Sequence, residues 1–301
     1  MSFRNILKKN EVLVIVYDKF KEIYYKSLSD EKFLEKQFED KVGRKLDLDN
    51  PKYFNDKLQW LKLNWENSLA TQCADKFEVR KFIKERIGEK YLNELYGVYN
   101  SVDEINIHKL PQSFVLKGTH GSGFNLICKN KDEIDWDVAF KSMRRWLRKK
   151  YYLQNREWVY KGIKPRIICE RFLEQDGDDE LRDYRFFCFN GEPKIISVDL
   201  SITNKENTRR NLYDLEWNLL DGEISYPKEL SKKIEKPQSL DLMIELSKKV
   251  SAGFPHARVD FYNIGELVIF GEITFFHQSG MGKFNTLEFE MQLGENLKLP
   301  L

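Results

Sequence analysis

A lysine that precedes a glycine-rich loop is the part of this sequence best suited to chemistry. Residues 114–116 (FVL) form an apolar run typical of a short buried strand, which delivers Lys117 into the loop. Glycines allow tight turns that bring backbone N–H groups close to a ligand, and such amides bind anions. A lysine beside them adds a charge suited to phosphate, so the pattern indicates a phosphate-covering loop or, alternatively, a plain hairpin turn with a solvated lysine. The loop contains Gly118, Gly121, Ser122 and Gly123.

Established phosphate and nucleophile motifs do not account for this loop. A P-loop places its lysine after the last glycine, whereas Lys117 precedes all three glycines. The dinucleotide-binding fingerprint requires a third glycine where Leu126 stands, and a nucleophile elbow requires one where His120 stands. What remains is a strand, a lysine and a loop of glycine and serine.

Charged residues also share one face of a predicted β-hairpin in the last fifty residues. Residues two apart on a strand point to the same side, so Arg258 lies beside Asp260. By the same rule, Glu272 lies beside Thr274. With a three-residue loop at 264–266, Asp260 and Glu272 are predicted to be diagonal neighbours roughly 7–8 Å apart. Two such carboxylates can hold Mg²⁺ together with phosphate oxygens, and the alternative is a pair of solvated acids on an edge hairpin.

Three further charged residues stand near the ends of predicted elements. Lys76 is expected in the first turn of a helix, where a cation opposes the helix dipole and suggests a nearby anion, although a solvated lysine is the plainer interpretation. Glu170 lies near the end of a predicted strand over residues 165–173. Asp183 begins a strand whose hairpin partner follows the strong turn signal at residues 190–191 (NG).

Weaker signals come from two helical segments, one loop-rich segment and two histidines. Residues 1–65 are mainly helical, with apolar residues that are expected to pack on the rest of the protein. Residues 141–150 carry a basic helix face, for which solvation is favoured over contact with anionic lipid or substrate. Residues 201–239 are predicted to be rich in loops. His256 and His277 flank the last hairpin and could contact substrate, but satisfied structural histidines are favoured.

Length, composition and charge limit the class of protein. The 301 residues are 41% hydrophobic and 14% aromatic, which argues against disorder and leaves room for two or three lobes. No apolar run is long enough for a membrane span, and we expect no signal peptide. The net charge of +2 gives no sign of nucleic-acid binding. Four widely spaced cysteines without a C-x-x-C motif indicate reduced thiols and a cytoplasmic location.

In combination, these residues resemble the ATP-grasp superfamily, in particular its TupA-like branch, named for teichuronopeptide biosynthesis and found among bacterial surface-polysaccharide functions. The resemblance implies an α+β fold in which two α+β lobes clasp ATP. We expect a helical segment at 1–70, the N-terminal and small lobes with the glycine-rich loop at 71–172, and a C-terminal lobe with the magnesium site at 173–301. The stretches that carry the resemblance are 50–60 (NPKYFNDKLQW), 157–161 (EWVYK), 164–166 (KPR), 187–193 (FCFNGEP), 258–262 (RVDFY) and 271–275 (GEITF).

The resemblance also implies a nucleotide site. Lys76 and Lys117 would contact the phosphates of ATP, and the loop from Gly118 to Gly123 would fold over them. Glu170 would lie at the hinge beside the adenine, and Asp183 would bind the ribose hydroxyls.

A metal site and catalytic residues follow from the same resemblance. Asp260, Glu272 and Thr274 would hold Mg²⁺. The superfamily pattern has asparagine where Thr274 stands, which leaves the number of Mg²⁺ ions open. Arg258 would steady an acyl phosphate and the tetrahedral intermediate, and Lys117 would assist in catalysis.

The resulting hypothesis is an ATP-dependent carboxylate–amine ligase that works through an acyl phosphate. The resemblance implies small-molecule partners, a sugar acid that is free or nucleotide-linked and an amine, and a role in capsule or other surface-polysaccharide biosynthesis. The alternative is a nucleotide-sugar glycosyltransferase, since 47–49, 135–137 and 176–178 have the D-x-D form, although chance explains such triplets among 48 acidic residues. A third possibility is a binding module that uses the basic helix. The substrates and the oligomeric state stay open.

Overall fold

Two antiparallel β-sheets covered by helices make up the part of the chain that the computed structural model describes, residues 16–17, 19–20, 23–24, 27–174, 181–200 and 208–300. The predicted α+β class is confirmed. The strands are β1 (Leu95–Tyr99), β2 (Phe114–Gly118), β3 (Asn125–Cys128), β4 (Ile167–Arg171), β5 (Asp183–Phe189), β6 (Glu192–Leu200), β7 (Arg209–Tyr213), β8 (His256–Ile264) and β9 (Leu267–Thr274). The α-helices are α1 (Asp30–Val42), α2 (Phe54–Asn64), α3 (Ser68–Ala74), α4 (Val79–Arg86), α5 (Trp136–Arg148), α6 (Leu240–Ser251) and α7 (Leu287–Asn296).

The smaller sheet has the strand order β1-β4-β2-β3 and buries one face against α5. Phe114 and Leu116 of β2 and Met143 of α5 are fully buried in this core, and Trp136 stacks on Phe114. Because strand side chains alternate between the two faces, Lys117 points away from α5. The sheet therefore presents Lys117 on the face that is turned away from its own helix.

The larger sheet has the order β7-β6-β5-β8-β9 and carries α6 on one face. The β5–β6 hairpin turns at Asn190 and Gly191, whose φ values of 51° and 84° are those of the predicted tight turn. On the opposite face, Phe187 of β5 packs against Phe54 of α2. Arg185 shares this face with Phe187, so the larger sheet has charged residues at one end of the face and aromatic residues at the other.

The last hairpin differs from its predicted register. A two-residue turn at Gly265 and Glu266 joins β8 to β9, and a bulge follows in which Gly271 has no opposite residue. Each change shifts the pairing by one residue, so Asp260 lies directly opposite Glu272 and the predicted diagonal arrangement is wrong. A Cβ at Gly271 would stand 3.1 Å from the carbonyl oxygen of Asp260, so the bulge leaves little room for a side chain.

Two other local predictions need correction. Lys76 does not lie in a first helical turn, because α4 begins only at Val79 and Asp75 caps the preceding turn by accepting a hydrogen bond from the Phe77 amide (2.8 Å). The segment predicted to be loop-rich is so in most of its described residues, but it also contains the unpredicted β7, which pairs with β6 at the edge of the larger sheet. The charged residues Arg209 and Arg210 at the start of β7 interrupt the apolar pattern by which a strand is recognised in a sequence.

The predicted packing of residues 1–65 is confirmed for α2, where Phe54, Leu58 and Leu61 are buried, but it is wrong for the described residues between 16 and 24. Five apolar side chains at helical spacing are 44–69% exposed: Val16, Tyr17, Phe20, Ile23 and Tyr24. Leu13, which continues this pattern, lies outside the described residues. Helical structure that does pack on the protein begins with α1, where Ser29 accepts a hydrogen bond from the Lys32 amide.

Two predictions from composition can be compared with the structure. All four cysteines are free, as predicted, and all four are also buried. Within the described ranges, no helix is long and apolar enough to cross a membrane.

The contact between α7 and α2 gives a test of the fold. A Cβ at Gly294 would stand 2.0 Å from the carbonyl oxygen of Lys52 and 3.0 Å from the amide of Phe54. We expect Gly294→Ala to lower the free energy of unfolding by about 1–3 kcal/mol, the usual cost of overpacking, in urea denaturation. Gly162→Ala is the control, since nothing lies within 4 Å of a Cβ at that position. Equal stability of the two variants would contradict the close packing of α7 on α2.

Candidate active site

Lys117 is held by a buried carboxylate on the neighbouring strand. Its Nζ donates a hydrogen bond to Glu170 Oε2 at 2.8 Å, and Arg80 donates to Glu170 Oε1 at 3.1 Å. Burial alone would lower the pKa of Lys117, but the carboxylate of Glu170 outweighs it and raises that pKa above its ordinary value. The predicted site residues Lys117 and Glu170 therefore lie together. Arg80 is a third member that sequence reasoning missed, because an arginine on an amphipathic helix carries no distinguishing signal.

Lys76 connects the glycine-rich loop to the larger sheet. Its Nζ donates to the carbonyl oxygen of Gly121 at 3.2 Å and lies 3.2 Å from Glu272 Oε2. Its backbone amide donates to the carbonyl oxygen of Thr119 at 3.1 Å. Lys76 thus brings the loop within reach of the Glu272 carboxylate of β9, although the two elements are far apart in sequence.

The loop itself is a hairpin connection between β2 and β3 that aromatic side chains hold in place. Phe124 stacks on Trp146 of α5, and Tyr151 packs so closely that a Cβ at Gly121 would stand 2.6 Å from its ring. Gly123 has a φ of 75°, which favours glycine. The requirement for glycine at these two positions is therefore structural, and it keeps the loop amides near Lys76.

Arg258 lies between the two carboxylates of the last hairpin. Its Nε and one terminal nitrogen donate to the two oxygens of Asp260 at 2.8 and 2.6 Å, and the same terminal nitrogen lies 3.1 Å from Glu272 Oε1. Thr274 Oγ1 donates to Glu272 Oε1 at 3.3 Å. The other terminal nitrogen donates to Nδ1 of His277 at 2.9 Å, so that histidine is a neutral acceptor. The four predicted residues of this hairpin therefore form one cluster.

The two carboxylates of this cluster differ in electrostatic environment. Burial raises the pKa of Asp260 to about 6, against the opposing effect of Arg258 and Arg185. Burial acts in the same direction on Glu272, but Lys76, Arg258 and Arg185 outweigh it and hold its pKa at about 2. Glu272 is therefore ionised throughout the neutral pH range. The buried carboxylate of Asp260 would be stabilised by a further cation nearby.

A second charge network, which sequence reasoning missed, supports this cluster from β5, β6 and β7. Arg185 donates to Asp183 at 2.8 Å, forms a short contact with Asp199, and lies 3.7 Å from Asp260. Arg210 donates to both oxygens of Asp199 at 2.6 Å. The alternation of Asp183 and Arg185 on one strand face was a usable signal, whereas Arg210 lies in a segment that was predicted to be loop-rich.

Several of the predicted site residues line two cavities in the cleft between the two sheets, whereas Asp260 and Asp183 line neither. A narrow cavity is lined by Lys76, Lys117 and Glu170 together with Gly271. A larger cavity of about 370 Å³ is lined by Glu272, which follows Gly271 in β9, and by Ser122, Arg258 and Thr274. Asp183 stands close enough to affect the pKa of Lys117 across the cleft. The charged side chains of the larger cavity are Glu157, Arg185, Asp199, Arg210, Arg258 and Glu272.

The donor set at this cleft fits Mg²⁺. Within the described ranges, no cluster of three or more His, Cys, Asp and Glu side chains could hold an ion by itself. Asp260 and Glu272 are nevertheless paired across β8 and β9, and carboxylate oxygens are ligands that Mg²⁺ prefers. Mg²⁺ is commonly bound by one or two carboxylates plus substrate phosphates and water. Two carboxylates near Lys76 and Lys117, which are suited to phosphate, therefore provide the ligands expected for a Mg²⁺–phosphate site.

The residues behind the alternative hypotheses lie elsewhere. Asp135 is the N-cap of α5 and accepts a hydrogen bond from the Val138 amide, and Asp47 accepts one from the Asn50 amide. The triplet at 176–178 lies outside the described residues. The basic side chains of α5, including Lys141 and Arg144, are exposed, as favoured from the sequence. None of the described D-x-D triplets lines the cavity between the sheets.

Comparison with known protein families gives one extensive match. A family model described as TupA-like ATPgrasp matches residues 56–298. This span contains Lys76, the glycine-rich loop and the last hairpin. No curated protein matches the chain.

Similar solved structures are distant from the chain. The D-alanine–D-alanine ligase of Bacillus anthracis complexed with ATP is 14% identical, with a TM-score of 0.37, over 68% of this chain and 55% of that one. The D-alanine–D-alanine ligase of Helicobacter pylori is 15% identical, with a TM-score of 0.41, over 81% of this chain and 69% of that one. The ATP-grasp ligase PsnB, complexed with a phosphomimetic variant of minimal precursor, Mg and ADP, is 10% identical to this chain. The match has a TM-score of 0.41 and covers 81% of this chain and 66% of that one. This chain therefore spans little more than half of the Bacillus anthracis enzyme.

The charge network predicts a large loss of stability when Asp199 is neutralised. Asp199→Asn would leave the buried guanidinium of Arg210 and the largely buried guanidinium of Arg185 without their shared carboxylate, so we expect the free energy of unfolding at neutral pH to fall by about 3–5 kcal/mol. Burial acts to raise the pKa of Asp199, but Arg210 and Arg185 hold it at about 2, below its ordinary value of 3.8. The stabilisation is therefore present above the ordinary value and is lost as the pH falls toward about 2.

Urea denaturation at neutral pH and at about pH 3 measures this effect, and the difference between wild type and Asp199→Asn should shrink at the lower pH. Asp103→Asn is the control, because its ion pair with Arg144 is exposed and contributes little. An Asp199→Asn variant as stable as the control would contradict the network.

Proposed function

The chain belongs to the TupA-like ATP-grasp family, and from this membership we propose that it is an ATP-dependent carboxylate–amine ligase. The observation that carries the proposal is the convergence of Lys76, Lys117 and Arg258 with Asp260 and Glu272 beside a cavity of about 370 Å³. Phosphoryl transfer depends on positioning and on neutralising charge more than on covalent help from the protein. This arrangement of cations, carboxylates and loop amides supports such a reaction.

The proposed nucleotide site lies on the side of the cleft that faces the smaller sheet. Lys76 and Lys117 bind the phosphates, and the loop of Gly118, Gly121, Ser122 and Gly123 covers them. Glu170 lies beside the adenine and Asp183 binds the ribose hydroxyls. The proximity of Glu170 and Asp183 to Lys117 supports this assignment.

The proposed reaction has two steps. The γ-phosphoryl group of ATP moves to a carboxylate, and the amine then attacks the acyl phosphate and releases inorganic phosphate. Arg258 stabilises the charge on the acyl phosphate, and the loop excludes water from it. Mg²⁺, held by Asp260 and Glu272 with Thr274 as a neutral oxygen nearby, would neutralise phosphate charge.

We propose a sugar acid as the carboxylate substrate and surface polysaccharide as its destination. The resemblance of the sequence to the TupA-like branch and the cavity wall support this choice, since Tyr151, Tyr160 and Tyr226 combine aromatic surface with hydroxyl groups. A cytoplasmic location is part of the proposal because the reaction consumes ATP and the four cysteines are free.

The nucleotide site can be tested with Lys117→Ala. A ligand that binds only the folded state raises the melting temperature, so an ATP analogue with Mg²⁺ should stabilise the wild type, and Lys117→Ala should lose this stabilisation. Lys141→Ala, on the exposed face of α5, is the control and should respond like the wild type. Loss of ATP-dependent ADP release with uronates and amines should accompany the loss of binding.

A second arm with UDP-sugars and Mn²⁺ addresses the glycosyltransferase. Stabilisation there, without any response to the ATP analogue, would overturn the ligase proposal. Unchanged ATP turnover in Lys117→Ala would overturn the assignment of the site.

The metal site makes a separate prediction for Asp260→Asn. Mn²⁺ can substitute for Mg²⁺ and is observed directly by electron paramagnetic resonance. We expect Asp260→Asn to weaken Mn²⁺ binding in the presence of the ATP analogue by about tenfold or more, since one of two carboxylate ligands is lost. Asp214→Asn, in a turn near the end of β7, is the control. Equal Mn²⁺ affinity in both variants would exclude Asp260 as a ligand.

A further inference from the structure

The larger cavity has three acidic side chains in its wall, and two of them are already paired with cations. Asp199 accepts hydrogen bonds from Arg185 and Arg210. Glu272 lies within ion-pair distance of Lys76 and Arg258. These two carboxylates belong to the networks that position Arg258.

Glu157, the third acid, differs from the other two. It is only 5% exposed, and its carboxylate accepts a hydrogen bond from the neutral hydroxyl of Ser279 at 2.5 Å. Within the described part of the chain, no lysine or arginine lies within ion-pair distance of its carboxylate, and the charge of Lys62 acts on it only from further away. Lys62 is the nearest candidate, but its ammonium group donates instead to the carbonyl oxygens of Asn155 and Ser279, both at 2.8 Å. A buried carboxylate with neutral hydrogen-bond donors favours a further cation from outside.

The wall beside Glu157 is a strained turn at the end of the cavity. The adjacent non-glycine residues Gln278 and Ser279 have φ values of 46° and 58°, in the left-handed region. Two side chains of α2, Gln59 and Lys62, hold this turn by donating to the carbonyl oxygen of Ser279. Such strain is typical of functional sites, where the surrounding structure keeps a group in place. Here it fixes the Ser279 hydroxyl on Glu157.

Aromatic side chains complete the surroundings of this carboxylate. Tyr151 and Tyr160 line the same cavity, with ring centroids 4.9 Å apart in an edge-to-face arrangement. Aromatic faces attract ammonium groups, and this attraction adds to that of a carboxylate. The combination of one available carboxylate with aromatic rings is suited to a primary ammonium group.

We infer that Glu157 anchors the ammonium group of the amine substrate in the larger cavity. This inference rests on the proposed function and deepens it, because Arg258, Glu272 and Thr274 line the same cavity. The bound amine therefore faces the place where the acyl phosphate would form.

The geometry also gives Glu157 a role in the second step. The carboxylate accepts one proton from the ammonium group, which leaves a nitrogen lone pair for the bond to the acyl carbon. The carbon–oxygen bond to phosphate breaks, and the second nitrogen proton leaves with inorganic phosphate. The products are the amide, hydrogen phosphate and protonated Glu157. Burial raises the pKa of Glu157, against the effect of Lys62, which suits a proton acceptor.

Hydroxylamine separates this inference from the proposed function. It is uncharged at neutral pH and traps acyl phosphates as hydroxamates, so it reports carboxylate activation without an ammonium anchor. Wild type and Glu157→Gln are incubated with Mg²⁺, ATP and a panel of uronates, with either hydroxylamine or a panel of amino acids as nucleophile. We expect the ratio of amide to hydroxamate to fall about 10- to 100-fold in Glu157→Gln, the effect of losing one charge-assisted hydrogen bond. Glu290→Gln is the control, a buried glutamate outside the cavity, and should leave the ratio unchanged.

An unchanged ratio in Glu157→Gln would overturn the inference while the ligase proposal stands. Absence of hydroxamate from the wild type with every uronate would count against the proposed function instead. Binding then decides the inference: amino acids should raise the melting temperature of the wild type, in the presence of Mg²⁺ and the ATP analogue, but not that of Glu157→Gln. Equal stabilisation of both proteins, or of neither, would overturn it.

Discussion

The ion cluster of Arg258 with Asp260 and Glu272 is the interaction on which the rest of the site depends. Each of these groups would be costly to bury alone, and each is stabilised because an opposite charge lies within hydrogen-bonding distance. Arg185 joins this cluster to Asp199, so the charges of four strands form one network. The network fixes the guanidinium of Arg258 at the wall of the larger cavity.

Strand pairing makes this network possible. Period-two alternation places Arg185 and Arg258 on the cleft face of the larger sheet, while α6 covers the other face. The bulge at Gly271 then brings Glu272 directly opposite Asp260. Without that extra residue, Gly271 itself would stand opposite Asp260, and Glu272 would point to the other face of the sheet. A single backbone irregularity therefore determines whether the two carboxylates can act together.

The other half of the cleft contains two lysines with different attachments. Lys117 is fixed by strand β2 and by Glu170, whereas Lys76 lies in the turn between two helices and reaches both Gly121 and Glu272. Through these two contacts, Lys76 links the loop of the smaller sheet to β9 of the larger sheet. One side chain therefore contacts both the glycine-rich loop and the carboxylate of Glu272.

The sequence by itself determined the local features, since these depend on neighbouring residues. Alternation and turn residues predicted β2 with Lys117, the hairpin at Asn190 and Gly191, and the shared face of Arg258 and Asp260. The tight turn at residues 190–191 forms because both residues tolerate a positive φ, which is a property of those residue types.

Only the tertiary structure decided which distant side chains meet. The two-residue turn and the bulge set the register of Asp260 with Glu272. Asp75 caps a turn that includes Lys76, so α4 begins only after Lys76. Arg80, Arg210 and Glu157 gained their significance only through contacts that span ten to more than one hundred residues of sequence. Such contacts are selected by the free energy of burying and pairing charges in the whole fold, and no local pattern records them.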